Sequence, residues 1–328
     1  MCIWFQHYVY RSATGFYIGS LLFLIFINDI SQHVGNENNN LFADVNMLYS
    51  FGKTPNEVQN KLQSTIKNIE LWYSQNRCKL NFGKCTSLLI TSKQSVFSKH
   101  KLYLYISKHR VKPVDNIKYL GIIFDSTLSW NHQINKIVKS ASFKLSRLRR
   151  IRHILKPATL QLVYKSTIQP ILDYACTVWS CATQGLLDKV QRCQNLAARI
   201  ITNNFEYIDS RGEDIVRQLG WQTISDRCNY FSAVLIFKCL NDLVPPYMCD
   251  SINEVRFAHD RITRLSLSKN LLIPCSNTEM GKKTFTYRGS LLWNDLPESL
   301  KNCDSLNSFK RLYKSLFVPQ PHIVLKLA

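Results

Sequence analysis

Negative charge is scarce in this chain. Its 328 residues carry 22 Asp and Glu against 42 Lys and Arg, a formal net charge of +20. No acid occurs in residues 1–28, and none lies between Asp125 and Asp173. Long apolar runs are missing as well. The longest, residues 21–27, falls far short of the ~20 residues a membrane-spanning helix needs. Its flanks, Ser20 and Asn28-Asp29, lack the small-residue cleavage site of a secretory signal. There is no C-x-x-C pair, the 11 cysteines are odd in number, and Cys176, Cys181 and Cys193 have no histidine nearby. That excludes a zinc site of ordinary spacing and argues against a disulfide framework, which belongs mainly to small secreted domains. The expectation is an intracellular protein of the nucleus or cytoplasm, with no membrane and no disulfide-linked partner. Cysteines such as Cys239 should pack as small hydrophobes.

What is present suffices for a core: 45% of residues are hydrophobic and 12% aromatic, too many for a disordered chain. At roughly 100–200 residues per domain, the length suggests two or three domains. Leu41-Phe42-Ala43 and Met47-Leu48-Tyr49 flank a polar centre, Asp44-Val45-Asn46, and read as a β-hairpin entered from a polar turn at 36–40. Thr54-Pro55-Asn56-Glu57 has the form of a capping box with proline at the first helical position. The recurrence of Val58, Leu62, Ile66, Ile69 and Trp72 then predicts an amphipathic helix of about five turns. Short strands are expected at 87–91, 101–106, 110–113 and 117–124, with a hairpin turn at 107–109. Beyond Trp130 the pattern turns helical. Leu145, Leu148, Ile151 and Leu155 suggest one apolar stripe, Pro157 a helix start, and further helices are expected near 158–168, 171–179, 185–202, 212–219 and 224–241. Composition shifts near 125 and within 203–212 divide the chain into 1–125, 126–205 and 206–328.

The charge has a location. Between Asp125 and Asp173 stand Lys136, Lys139, Lys144, Arg147, Arg149, Arg150, Arg152, Lys156 and Lys165. Helical spacing puts Arg149, Arg152 and Lys156 on one side, away from the leucines. Solvated helix faces usually mix both signs; nearly fifty residues without an acid point instead to a polyanionic partner, nucleic acid before membrane. Arg suits phosphate because its planar fork donates two parallel hydrogen bonds. The basic cluster at 147–153 also reads as a nuclear-localisation signal, and the two readings are compatible.

The hairpin at 41–49, with Phe42-Ala43-Asp44-Val45 at its centre, resembles the catalytic hairpin of reverse transcriptases, where aromatic-Ala-Asp-Asp is usual. Further segments follow in the order of non-LTR (LINE-type) retrotransposon polymerases. Gly19-Ser20-Leu21-Leu22 through Asn28-Asp29-Ile30 is similar to the palm-helix segment before the hairpin, and Leu80-Asn81-Phe82-Gly83-Lys84-Cys85 to the lysine-bearing motif after it. Lys118-Tyr119-Leu120-Gly121 with Leu128-Ser129-Trp130 resembles the palm-to-thumb junction, and Tyr164-Lys165-Ser166 through Leu172-Asp173-Tyr174 the thumb. Phe285-Thr286-Tyr287-Arg288-Gly289-Ser290 through Trp293-Asn294-Asp295-Leu296-Pro297 resembles the tail beyond it. The resemblance implies an α+β fold: a partial palm of mixed antiparallel strands and helices, then a mainly α-helical thumb and C-terminal region. It implies RNA-directed DNA polymerase ancestry, Mg²⁺ as cofactor, and an RNA–DNA or DNA duplex held by its backbone.

The departures bear on the chemistry. In the family two magnesium ions, held by carboxylates, align the attacking hydroxyl and the triphosphate. Here Asp44 remains as a remnant of a degenerate Mg²⁺ site, but Val45 stands at the second hairpin position and has no oxygen to offer. The family's upstream palm Asp has no counterpart in residues 1–28, where a Pro-Gln-Gly motif is also missing. The expectation is a fragment without polymerase activity, lacking fingers and the first half of the palm, whose sheet should expose an unpaired edge and whose segment 21–27 should stay uncovered. Lys84 corresponds to a lysine that can act as general acid toward pyrophosphate, a duty that needs an assembled site; otherwise it is a surface lysine. Asp44 could equally be a turn residue. Asp29 and Asp125 are expected to be structural, and Tyr119 and Trp130 core aromatics. At most, nucleic-acid binding through Lys136, Lys139, Lys144, Arg147, Arg149, Arg150, Arg152 and Lys156 survives. The alternatives are a binding module retained by a host, or a relic of a transposable element without function.

Overall fold

The computed structural model describes residues 2–8, 17–33, 38–43, 45–205, 211–255 and 269–318. Two compact units divide the chain, Met1–Trp130 and Asn131–Ala328. The first is mixed α and β and the second helical, in keeping with an α+β fold.

In the first unit, β1 (Cys2–Tyr8), α1 (Tyr17–Ile27) and α2 (Ile30–His33) precede the hairpin β2 (Asn38–Phe42) and β3 (Val45–Phe51). Helix α3 (Pro55–Gln75) and strands β4 (Thr86–Ile90), β5 (Tyr105–Ile106), β6 (His109–Arg110), β7 (Lys112–Pro113), β8 (Asn116–Tyr119) and β9 (Ile122–Asp125) follow. The main sheet has the order β2-β3-β1-β4-β7, antiparallel except at β4–β7. Helix α3 starts where its sequence says it should. Thr54 Oγ1 accepts the Glu57 N–H at 3.3 Å, and Glu57 Oε2 reaches back 2.8 Å to the Lys53 N–H, one residue before the Thr54 N–H of a closed capping box. Val58, Leu62, Ile66, Ile69 and Trp72 are all buried and form the core with Leu48 of β3 and Leu89 of β4.

Several expectations need correction here. Among the described residues the sheet ends in edge strands β2 and β7, while β1 pairs with β3 along its whole length, from Cys2 opposite Phe51 to Tyr8 opposite Val45. Residues 38–40 are strand rather than turn, since they complete the ladder to β3. The stretch 117–124 is not one strand but the hairpin β8–β9, turned by Leu120 and Gly121 at φ 44° and 84°. Of 101–106 only Tyr105 and Ile106 are strand, paired to His109 and Arg110 around Ser107 at φ 51°. The uncovered apolar segment is present as expected: Leu21, Leu22 and Ile25 of α1 are 59%, 59% and 66% exposed, whereas Ile27 is buried. Among the described residues no helix is long and apolar enough to cross a membrane.

The second unit runs α4 (Asn131–Ile151), α5 (Pro157–Val163), a π-helical turn (Tyr164–Ile168), α6 (Gln169–Asp173), α7 (Cys176–Trp179), α8 (Gln184–Thr202), α9 (Gly212–Gln218), α10 (Ile224–Leu240) and α11 (Pro246–Cys249). The expected stripe on α4 is displaced: the helix buries Ile134, Ile137, Ala141, Leu145 and Leu148, while Ile151 is exposed and Leu155 lies beyond the helix end. The helix expected at 171–179 breaks at Ala175, whose φ of 49° no α-helix accommodates. A closed capping box between Thr223 and Asp226 starts α10.

Long-range polar contacts tie the later helices in. Arg227 of α10 donates through Nε to Asp173 Oδ1 at 2.6 Å and through Nη2 to Asp173 Oδ2, a bidentate pair more than four-fifths buried. In the tail, Arg288 Nη1 donates to Ser180 Oγ at 3.0 Å and Nη2 to the Thr177 carbonyl at 3.1 Å. Asn294 clips the backbone of Leu271, accepting from its N–H at 2.7 Å and donating to its carbonyl at 2.9 Å. Trp293, Phe309 and Phe237 pack in one core under these bonds.

Removing one member of a buried ion pair strands the other's charge. Asp173→Ala and Arg227→Ala are each expected to destabilise the chain by about 3 kcal/mol, and the double variant by clearly less than their sum. Urea unfolding of the four proteins measures this. Additive losses would mean the two groups do not interact.

Candidate nucleic-acid interface

The outward side of α4 is built by helical periodicity. With 100° per residue, Lys136, Lys139, Phe143, Arg147 and Arg150 fall within one narrow sector, opposite the buried stripe. Helix α4 packs against α8, α6 and the π-helical turn. Four buried aliphatic side chains at about 2 kcal/mol each fix which way the helix is turned. Lys139, Arg147 and Arg150 are exposed and Lys136 half-buried. Phe143 lies among them, 59% exposed, with the Arg147 guanidinium 4.3 Å above its ring centroid. Such stacking restrains the guanidinium but leaves its in-plane N–H donors free to point outward.

The other cations of this stretch are placed differently. Lys144 donates through Nζ to the Thr167 carbonyl at 2.8 Å, tying α4 to the π-helical turn. Arg149 and Arg152 turn toward Phe205, with guanidinium carbons 5.4 and 4.9 Å from its centroid. Lys156 is past the end of α4, as the residue that caps α5. The grouping of Arg149, Arg152 and Lys156 on one helical face is therefore replaced by Lys136, Lys139, Arg147 and Arg150. Phe143, uncharged, is not marked by the basic pattern of the sequence. Its i, i+4 spacing to both Lys139 and Arg147 was the available signal.

At the hairpin, Ala43 takes a left-handed φ of 51° in the tight turn between Phe42 and Val45, which pair across it. Asp44 lies outside the described residues. Val45 opens β3 and stands opposite Tyr8 of β1. The strand beside the hairpin, Cys2–Tyr8, has no acid in its sequence CIWFQHY. The next residue along β3 is Asn46, wholly buried, with neither amide atom hydrogen-bonded. Among the described residues no three His, Cys, Asp or Glu cluster so as to hold a metal ion. Magnesium needs carboxylate oxygens, so valine, a neutral amide and an acid-free neighbouring strand do not fit a two-ion site. Lys84 closes a short 3₁₀ turn, Phe82–Lys84, and is exposed.

Asp125, at the end of β9, is buried and structural. Its Oδ1 accepts from the Thr127 and Ser129 N–H groups and the Thr127 hydroxyl, and its Oδ2 from the Trp130 N–H and the Ser129 hydroxyl. Trp130 is thereby held at φ 65°, edge-on to Phe124 and buried as a core aromatic. Burial alone would raise the pKa of this carboxyl. The hydrogen bonds from Ser129, Thr127 and Trp130 outweigh it and hold the group below the usual carboxylate range.

No family model matches the chain. Two curated proteins, both from Drosophila melanogaster, are similar to it. One is the probable RNA-directed DNA polymerase from transposon X-element, 23% identical over 226 residues, covering 67% of this chain and 24% of the relative. The other, from transposon BS, is 25% identical over 224 residues, covering 65% of this chain and 24% of the relative. These similarities support a LINE-type reverse-transcriptase region in the chain, and the matched stretch spans about a quarter of the length of these relatives.

A depressed carboxyl pKa stabilises the fold above the unfolded-state value, near 3.9, and that stability disappears as pH falls through the lower native value. Asp125→Asn should therefore lose about 2 kcal/mol at pH 7, and the difference from the parent should shrink in acid below about pH 4. Urea unfolding across pH 2.5–7 tests it; a difference independent of pH would rule out the charged carboxylate as the cause.

Proposed function

We propose that the chain is the C-terminal part of a LINE-type reverse transcriptase that holds template–primer nucleic acid by its backbone and performs no polymerisation on its own. In this reading residues 1–125 belong to the palm, 126–205 to the thumb and 206–328 to the tail, and the protein works inside the cell. The observation that carries it is the outward face of α4, where Lys136, Lys139, Arg147 and Arg150 surround Phe143 in a stretch free of acids.

These four cations span about 21 Å along the helix at 1.5 Å per residue. A duplex presents one phosphate per ~1.7 Å of axis, so the helix meets more phosphates than it has cations, whatever the sequence. Contacts of this kind position a duplex without reading its bases. The resemblance supports the same assignment, since the thumb-like motif from Tyr164 to Asp173 follows directly and Lys144 is bonded to its Thr167 carbonyl.

The proposed loss of chemistry rests on Val45 and on the absence of acid in β1, the strand at its side. A single carboxylate at Asp44 supplies too few oxygens to hold two magnesium ions. Lys84, with no pyrophosphate to protonate, is a surface lysine that adds to the positive field.

Four phosphate contacts predict a log–log slope of binding against salt between about −3 and −4 for an RNA–DNA hybrid. Arg147→Gln with Arg150→Gln should weaken binding about tenfold near 0.1 M salt, equally for unrelated sequences, and flatten the slope by about 2. Fluorescence anisotropy on the full chain measures both; a slope near zero would leave only a relic without binding. Separately, the purified chain should show no Mg²⁺-dependent primer extension, and Val45→Asp alone should not create it. Extension abolished by Asp44→Ala would sink the proposed inactivity.

A further inference from the structure

We propose that the outer face of the β5–β6 hairpin in the first unit binds single-stranded nucleic acid by stacking its bases on tyrosine. From residue 101 to 106 burial alternates. Leu102, Leu104 and Ile106 are buried in the core beneath, whereas Lys101, Tyr103 and Tyr105 face solvent. Arg110 pairs directly opposite Tyr105 and so shares its face. Lys112, two residues on across the buried Val111, extends that face. Tyr103 and Tyr105 are 44% and 47% exposed, and the Arg110 guanidinium lies 4.2 Å above the Tyr103 ring.

Helix α3 holds this face in place by taking up the backbone groups of the strand beneath it. Gln59 Oε1 accepts from the Tyr103 N–H at 3.0 Å, and Gln63 Oε1 from the Tyr105 N–H at 2.9 Å. Gln63 Nε2 donates to the Tyr105 carbonyl at 2.8 Å, and Glu70 accepts from the N–H and the hydroxyl of Ser107. A glutamine amide carries the donor and acceptor of a peptide group, so it can pair a strand edge as another strand would. With the backbone under both tyrosines fixed, binding has little left to order.

The chemistry of the face selects its partner. Between Glu70 and Asp115 the chain has nine Lys or Arg and no acid, a second stretch of this kind. Here the cations are interleaved with exposed rings, and that combination tracks a phosphate backbone while bases stack on the aromatics. Arg110 serves both purposes, because bases stack on a guanidinium plane and its edge donates to phosphate. Along the strand the two tyrosines stand about 6.7 Å apart, whereas bases in one strand of a duplex follow at about 3.4 Å. Bases that lie on both rings are therefore parted from each other, which an extended single strand allows and a duplex does not. This face is independent of α4, which belongs to the other unit.

A short labelled oligothymidylate, followed by fluorescence anisotropy on the full chain, tests this. Tyr103→Ala and Tyr105→Ala should each weaken its binding about tenfold, with the log–log salt slope unchanged. Tyr105→Phe, which keeps the ring, should recover the binding that Tyr105→Ala loses. Lys101→Gln with Lys112→Gln should instead flatten the slope by about 1.4. All four side chains are exposed, so the variants should keep the urea midpoint of the parent and the losses report on binding. An abasic oligomer with the same number of phosphates should bind weakly and be insensitive to both alanine variants. An RNA–DNA hybrid should also be insensitive to them, and the tenfold tyrosine loss should persist in the Arg147→Gln, Arg150→Gln background. Those two results separate this face from duplex binding at α4. Equal binding of oligothymidylate and the abasic oligomer would overturn the proposal, as would alanine variants that bind like the parent or no binding of oligothymidylate at all.

Discussion

A helix can bury only one stripe, and α4 spends its buried stripe on Ile134, Ile137, Ala141, Leu145 and Leu148. Which α4 side chains face outward depends on that packing. Turned by its aliphatic residues, the helix presents Lys136, Lys139, Arg147 and Arg150 on the opposite side, and the absence of acids for nearly fifty residues leaves their field uncancelled. The neighbouring cations are drawn into the fold instead: Lys144 onto a carbonyl, Arg149 and Arg152 onto Phe205. A run of like charge thus separates into an outward face and a set of tethers.

In the first unit the sheet and the hairpin make different demands on residue type. Its sheet is built around β1, which pairs on both sides and closes the ladder beside the hairpin. Backbone hydrogen bonds of this kind do not depend on side-chain identity, so a strand without acid serves the sheet as well as one with it. Metal binding is different. It needs particular oxygens at particular places, and valine at position 45 removes one without disturbing the pairing of β3.

The tail is part of the second unit rather than an appendage. Arg288 reaches Ser180 and Thr177 more than a hundred residues earlier, Asn294 clips Leu271, and the buried Lys301 ammonium donates to Asn270, the Asn294 carbonyl and Glu298. The segment from Phe285 to Pro297, singled out by its resemblance to the family's tail, therefore has a structural reason for its composition. Its polar residues satisfy backbone and side-chain groups over an aromatic core of Trp293, Phe237 and Phe309.

The sequence by itself determined what local rules determine. Thr54 and Pro55 started α3, the spacing of Val58 to Trp72 set its buried face, α8 and α10 began and ended within a residue or so of expectation, and the valine at position 45 was visible at once. Caps, periodicity and residue type act over a few positions, which is why they could be read. Only the tertiary structure decided the partners of residues far apart in the chain: β1 beside β3 across some forty residues, Asp173 with Arg227, and Phe205 under Arg149 and Arg152. Which cations of α4 face outward was decided there too, because the burial of one stripe selects the opposite face, and that selection depends on side chains of other helices.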